Sequence, residues 1–267
     1  MPTNPLRDQA YKHIHGKLLA GELPAGHVVS EHSLAREIGI SRTPVREAIQ
    51  RLEQEGVLEQ VPRYGTIVRR PERRDLEELY QLREALEPYA VGQVAGHLSA
   101  EDLVTLGKLC DEIRSIAATL KKAPRAVLDT TLMRRLLSAD LGFHMVLLRA
   151  SGNRRLMKII ADSRMLTRIF GTPRQEHDLD VIQETHRFHS DILEAVKKGD
   201  AARAQTLMAE HIRASMQEAL DHYDRAQTTP DTRSIPLGLP DDLLADLQRI
   251  EQGPTPPRPR KTRQRKS

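Results

Sequence analysis

The sequence predicts a mostly α protein: a helix, short helix, helix and β-hairpin unit, followed by an all-α bundle of six helices. Three observations lead there. Apolar residues recur at helical spacing through most of the chain. One pair of short β-type runs, bounded by turn residues, stands between residues 57 and 69. From Pro71 to about Asp224 no segment reads as a strand, and the breaks SGN (151–153), GTP (171–173) and KGD (198–200) cut it into pieces of helix length.

Residues 5–20 (PLRDQAYKHIHGKLLA) place Ala10, Ile14 and Leu18 one helical turn apart, and GELPAGHVV is a connector broken by Gly and Pro. Ser30 is placed to cap a short helix, EHSLAREI, with Leu34 and Ile38 inward and Gly39 at its end. The next helix opens SRTPVREAIQRLEQEG (41–56). Ser41 is its expected N-cap, and Gly56 is its stop. Pro44 is tolerated in the first turn, where its missing N–H has no intrahelical partner. Val45, Ala48, Ile49 and Leu52 form the buried stripe, with Arg42, Arg46, Gln50 and Glu53 on the other side. Val57–Val61 and Thr66–Arg69, around Pro62-Arg63-Tyr64-Gly65, predict the hairpin.

The bundle helices are expected near 75–97, 100–120, 133–150, 153–169, 176–198 and 200–225, with Asp200 an N-cap and Asn153 a cap or turn residue. Residues 226–239 are polar, and PDDLLADLQRI (240–250) suits a brief helix. The end, GPTPPRPRKTRQRKS, has six Lys/Arg and no acid, which predicts a flexible tail. The expected organisation is 5–70, 71–225 and a basic tail over 226–267.

Composition sets bounds on function. The 267 residues carry a net charge of +4, which permits a polyanionic partner without requiring one. Five Tyr, three Phe and no Trp argue against a stacking surface for single-stranded nucleic acid. No apolar run approaches the roughly 18–20 residues that span a bilayer, and the first residues hold no secretory h-region. Cys110 is the single cysteine, which excludes an intrachain disulfide and fits a reducing cytoplasm.

Arg42 and Arg46 stand in the first turn of the 41–56 helix, the end whose dipole favours anions rather than cations. Two helices joined by a tight turn, the second presenting Arg at its start, describe a helix-turn-helix whose second helix faces base edges in the major groove. Arg suits bidentate contact with guanine O6 and N7. A solvated face paired with Glu residues is the plain alternative. The hairpin becomes a wing, with Arg63, Tyr64 and Arg69 toward the DNA backbone or minor groove, and residues 5–70 become a winged helix-turn-helix.

The stretch LPAGHVVSEHSLAREIGISRTPVREAIQRLEQEGVLEQVPRYGTIV closely resembles the winged-helix domain of GntR-family transcription regulators, with S-R-T-P-V-R-E-A and L-x-x-E-G its distinctive segments. LYQLREALEPYAVGQVA, DLGFH, ASGNRRL and HSDILEAVKKGDAARAQTLMAEHI resemble the all-helical FCD effector domain of the FadR-type branch. The resemblance covers about residues 5–225. It implies a cytoplasmic homodimer that binds a near-palindromic operator in double-stranded DNA as a repressor or activator. It also implies DNA contacts from Arg42, Thr43 and Arg46, with Tyr64 and Gly65 at the wing tip, and control by a small organic acid effector. His32 stands where some relatives carry Arg.

Asp140 and His144 are i, i+4 on one expected helix and share a face. His189, with Ile192 and Val196 at helical spacing, and His211, with Leu207 and Ala214, point inward. Four potential ligands thus come from three helices, an imidazole and carboxylate set that suits a divalent metal, Zn first, with Ni or Mn as alternatives. Among 11 His, a single inward one is more often a hydrogen-bonded core residue, so spacing alone leaves that reading open. The resemblance implies the metal, because the metal-binding FCD branch carries D-x-x-x-H and two later His at these places. Arg83, in LREALE, matches a position that often lines the FCD pocket and is the expected effector anchor. A helix-surface pair with Glu87 at i+4 is its alternative. His186 is either a partner of the ligands or exposed, and Phe143 and Met145 are core.

A metal, imidazoles and a carboxylate also suit hydrolysis. Against an enzyme, the sequence holds no HExxH, no nucleophile–base motif and no carboxylate near Asp140 that reads as a general base, so no catalytic residue is expected. A metal bundle that only dimerises is a third reading.

Overall fold

The computed structural model describes residues 5–19, 21–122, 128–170 and 179–228. The first unit is α1 (Pro5–Leu19), α2 (Glu31–Ile38), α3 (Arg42–Gln54), β1 (Leu58–Val61) and β2 (Gly65–Val68). The bundle is α4 (Arg73–Val94), α5 (Ala100–Leu120), α6 (Thr130–Ala150), α7 (Arg154–Phe170), α8 (Leu179–Lys198) and α9 (Ala201–Thr228). The fold class is the expected one. The segments GTP (171–173), 176–178 and 240–250, His177 and the basic tail from 229 onward lie outside the described residues.

Helices start where short polar side chains can satisfy free N–H groups. Ser30 Oγ accepts from Ser33 N–H at 3.2 Å, Asp129 from Leu132 at 2.7 Å, Asn153 from Leu156 at 3.0 Å and Asp200 from Arg203 at 2.9 Å. Ser41 departs from expectation. It holds the N-cap backbone conformation of α3, yet its side chain makes no capping hydrogen bond. Pro44 has already removed one of the first-turn donors, so less is left for a cap to satisfy. Gly39 ends α2 at φ +77°, a left-handed conformation, and its N–H donates to Ala35 O.

β1 and β2 pair antiparallel, Leu58 opposite Val68 and Val61 opposite Gly65, with Pro62, Arg63 and Tyr64 as the turn. Val28 bridges Ile67, so the connector after α1 lies along the wing. The first unit closes over one apolar cluster, in which Ala10, Ile14, Val45, Ala48, Leu52 and Val57 are wholly or almost wholly buried.

The bundle has its own cluster, built from Tyr80, Val91, Leu106, Phe143, Leu147, Ile192, Val196, Leu207 and Ile212. α4 lies along α9, and α5 packs on α6 and α8. At one end the α4–α5 and α8–α9 turns touch. Gly96 N–H donates to Val196 O at 2.9 Å; its φ of +78° favours glycine, and a Cβ there would stand a tight 3.2 Å from Gly199 Cα. At the other end Tyr223 OH donates to Pro71 O at 3.2 Å and Arg73 pairs with Asp224 at 3.2 Å. Helix α9 runs past its expected end at 225 to Thr228.

Helix α7 touches both units. Leu166 packs against the apolar cluster of the first unit and also beside Leu76 and Leu220. Ser163, one turn earlier, donates to Leu79 O on α4 at 3.1 Å.

Candidate metal centre and nucleic-acid interface

Helix α3 buries Val45, Ala48, Ile49 and Leu52 and leaves Arg42, Thr43 and Arg46 exposed. The two arginines converge on a residue the sequence did not single out. Arg42 Nη2 donates to Glu31 Oε2 at 2.9 Å. Arg46 donates Nε–H to Oε1 at 2.8 Å and Nη2–H to Oε2 at 2.9 Å. Hydrogen bonds from Arg46 first, then from Arg42, hold the Glu31 carboxyl down to about 2 against the opposing effect of burial. Both guanidinium side chains remain more than half exposed, at 59% and 54%. Glu31 is the first residue of α2, directly after its cap, so its charge also suits that helix end.

At the wing, Tyr64 is 74% exposed beside Arg63, which takes a left-handed φ of 70°. Gly65 follows at φ +89°, a conformation favouring glycine. Arg69 does not join them. Its Nη2 donates to Asp75 Oδ1 at 2.7 Å, in the first turn of α4.

In the bundle, Asp140 and His144 of α6, His189 of α8 and His211 of α9 come together, with one potential ligand atom from each lying within 4.8 Å of all the others. His211 Nε2 is 3.2 Å from His144 Nε2 and 3.1 Å from His189 Nε2. Asp140 Oδ1 lies 3.4, 3.6 and 3.9 Å from the Nε2 atoms of His189, His144 and His211. A zinc ion with bonds of about 2.0–2.1 Å sets neighbouring ligand atoms roughly 3.3 Å apart in a tetrahedron and roughly 2.9 Å apart in an octahedron. The observed spacings are of that order, so the four residues fit a divalent ion.

The surroundings orient the rings. His144 Nδ1 stands 2.6 Å from Glu87 Oε2, which assigns the proton to Nδ1 and leaves the Nε2 lone pair facing its neighbours. The His189 ring stacks on Phe143 with centroids 4.0 Å apart, and its buried Nδ1 has no hydrogen-bond partner among the described residues. Phe143 is therefore core and also fixes a candidate ligand. The three His are buried, whereas the Asp140 side chain is 30% exposed, so the cluster opens to solvent on the Asp140 side.

Arg83 is buried, not on the helix surface, and donates Nε–H to Glu87 Oε1 at 2.8 Å. Arg164 of α7 grips the same carboxylate at 3.1 and 3.0 Å and lies 3.5 Å from Asp140 Oδ2. Arg164 was missed from sequence, and Glu87 was read only as a surface partner of Arg83. Each sits on the apolar face of its helix, which was the available signal. Reached by His144 and by Arg164, which also approaches Asp140, Glu87 is a second carboxylate at the cluster, and it is buried. Burial opposes its ionisation, but Arg164 and Arg83 hold it well below the usual carboxylate range, so it is no general base at neutral pH. His186 stays outside the cluster and bonds Ser190 at 3.3 Å.

Burial pushes His189 and His211 down to about 4, and it lowers His144 as well, helped by Arg164. Burial works against ionisation of Asp140, but the three His side chains beside it keep it well below its ordinary range. Near neutral pH the cluster is three neutral imidazoles and a carboxylate, the protonation state a metal needs. The lowered pKa values have a consequence for the metal-free chain. Between about pH 6.5 and 4 the unfolded state binds protons at His189 and His211 that the folded state refuses, so stability falls as pH falls through that window. Urea midpoints of metal-free protein should drop from pH 7 to pH 5. A flat profile would show that these His are not buried neutral.

A two-helix reading unit with a wing, joined to a helical bundle holding a buried His–Asp cluster, defines a class: DNA-binding transcription regulators with a second, all-helical domain. Residues 6–68 match the model of bacterial regulatory proteins of the gntR family, and residues 78–214 match that of the FCD domain. The chain belongs to the GntR family, in the branch carrying an FCD domain, and its relatives are DNA-binding regulators rather than enzymes. It is 29% identical over 224 residues to the HTH-type transcriptional regulator YdhC of Bacillus subtilis, covering 83% of this chain and 92% of that one. It is 31% identical over 200 residues to a Paenarthrobacter nicotinovorans protein named "Probable D-xylose utilization operon transcriptional repressor", covering 74% and 81%. The Escherichia coli McbR/YncC structure shares the fold, with a TM-score of 0.64 at 21% identity over 83% of this chain and 100% of that one. No helix among the described residues is long and apolar enough to cross a membrane.

Proposed function

We propose that this chain is a cytoplasmic homodimeric regulator whose operator affinity is set by a small carboxylate bound beside a metal. Residues 5–70 bind a near-palindromic operator, with Arg42, Thr43 and Arg46 at base edges and Tyr64 and Gly65 at the backbone. Residues 71–225 hold one divalent ion, Zn, Ni or Mn, on Asp140, His144, His189 and His211. When bound, the ion supplies a Lewis-acidic anchor for an anionic oxygen.

The charge balance of the cluster supports an anionic effector. Two guanidinium groups, Arg83 and Arg164, face two ionised carboxylates, Glu87 and Asp140, while the three His are neutral. That set is neutral before any metal arrives. A divalent ion adds two positive charges to a largely buried place, and a carboxylate entering on the open Asp140 side offsets them. Arg83 keeps guanidinium N–H groups beyond the one given to Glu87, and Arg164 lies nearer to Asp140, so both stand as second anchors.

Coupling to DNA needs the ligand to favour one arrangement of the units over another. Helix α7 is placed for that. Arg164 reaches the cluster, and Leu166, two residues on, packs on the DNA-binding core.

The test is a panel of mono- and dicarboxylates, with D-xylose and other neutral sugars, against metal-loaded full-length protein. At about 100 times Kd a true effector stabilises by about 2.7 kcal/mol, a rise in Tm of roughly 5–10 °C. At least one carboxylate should do this, and Asp140→Asn should abolish the response. Stabilisation by neutral sugars alone, or by carboxylates equally without metal, would refute the carboxylate assignment.

A further inference from the structure

Resting on the assignment of α3 to DNA, we infer that Glu31 is a positioning residue for base reading: it orders the Arg46 guanidinium before the groove is met. Arg carries five N–H donors in a fixed fork. Glu31 takes the side of that fork, Nε–H and one Nη2–H. Both Nη1–H groups and the second Nη2–H remain. One Nη1–H and that Nη2–H form the end-on edge, the pair of donors that matches guanine O6 and N7. Arg46 can thus keep Glu31 and read a base at once.

Glu31 is well placed as a fixed post. The start of α2 is held by the Ser30 cap, its inner face by buried Leu34 and Ala35, and its far end by the Gly39 turn. Glu37 of the same helix pairs with Lys17 of α1 at 2.8 Å. Arg42 shares the post through a single Nη2 contact. Long flexible side chains lose rotamer freedom when they bind, and holding them beforehand removes part of that cost. The opposite role is also physical: a carboxylate that captures two cations could withhold them from DNA. The side-on geometry favours positioning, because it leaves the reading edge open and the side chain more than half exposed.

The two roles differ in outcome. Full-length protein is titrated by fluorescence anisotropy against a duplex that the wild type selects from random-sequence DNA, and against unselected duplex, at one salt concentration. Glu31→Gln should lower the ratio of selected to unselected affinity by about tenfold. Affinity for unselected DNA should hold or rise, because a negative charge has gone. Glu31→Asp, which keeps the charge, should retain more of the ratio. In an Arg46→Ala background, Glu31→Gln should change the ratio far less than alone. Circular dichroism checks the fold, and Glu31→Ala serves if Glu31→Gln is unstable. An unchanged ratio, or tighter binding of the selected duplex with the ratio kept, overturns the positioning role. If Arg46→Ala itself leaves the ratio intact, the assignment of α3 fails as well. If Arg46→Ala lowers it and Glu31→Gln does not, only the inference about Glu31 fails.

Discussion

His189→Ala is expected to lower divalent-ion affinity by more than about a hundredfold, beyond the cost typical of losing a residue that only orients a ligand. His189 Nε2 is 3.1 Å from His211 Nε2 and 3.4 Å from Asp140 Oδ1, so its removal opens one corner of the cluster. Protein that has met neither chelator nor an affinity-column metal should carry about one ion per chain by elemental analysis. The variant should hold far less. Because truncation also leaves a cavity against Phe143, Asp140→Asn is the companion: its side chain is partly exposed, and it should weaken binding without that cavity. Metal-free wild type, or unchanged affinity in both variants, would reduce the cluster to a buried hydrogen-bonded core.

Arg46→Ala should weaken binding of the selected DNA site by roughly ten- to a hundredfold, the scale of one bidentate base contact. Random DNA should lose much less, because phosphate contacts position without specifying. Arg46 is exposed and lies outside the apolar core of its domain, so the fold should survive the change. A gel-shift titration with unchanged specific affinity would remove Arg46 from the reading surface.

Much of this architecture is local in origin, which is why it was legible. Helical periodicity placed Val45, Ala48, Ile49 and Leu52 inward, and short polar residues at Ser30, Asn153 and Asp200 marked helix starts. The same periodicity turned His144, His189 and His211 to the interior. What it could not supply was pairing between distant segments. Arg164 reaches Glu87 across 77 positions and His144 reaches it across 57, and no spacing rule connects them. Arg83 shows the limit well. Its i, i+4 relation to Glu87 reads as a surface pair, and only the packing of α7 over α4 makes it a buried triad with Arg164. Glu31 escaped for the same reason, since its partners Arg42 and Arg46 belong to the next helix. Ser41 erred in the other direction: a good capping residue type whose side chain takes no part in the cap.

The most direct test of metal-anchored control is the affinity of metal-loaded protein for its selected duplex, with and without the stabilising carboxylate. A coupling of about 1–3 kcal/mol gives roughly a 5–150-fold change in wild type. Leu166→Ala, which loosens the contact between α7 and the DNA-binding core, should reduce that change while the carboxylate still binds. Asp140→Asn should abolish it. A carboxylate that binds at the cluster and leaves DNA affinity unchanged in wild type would contradict the account.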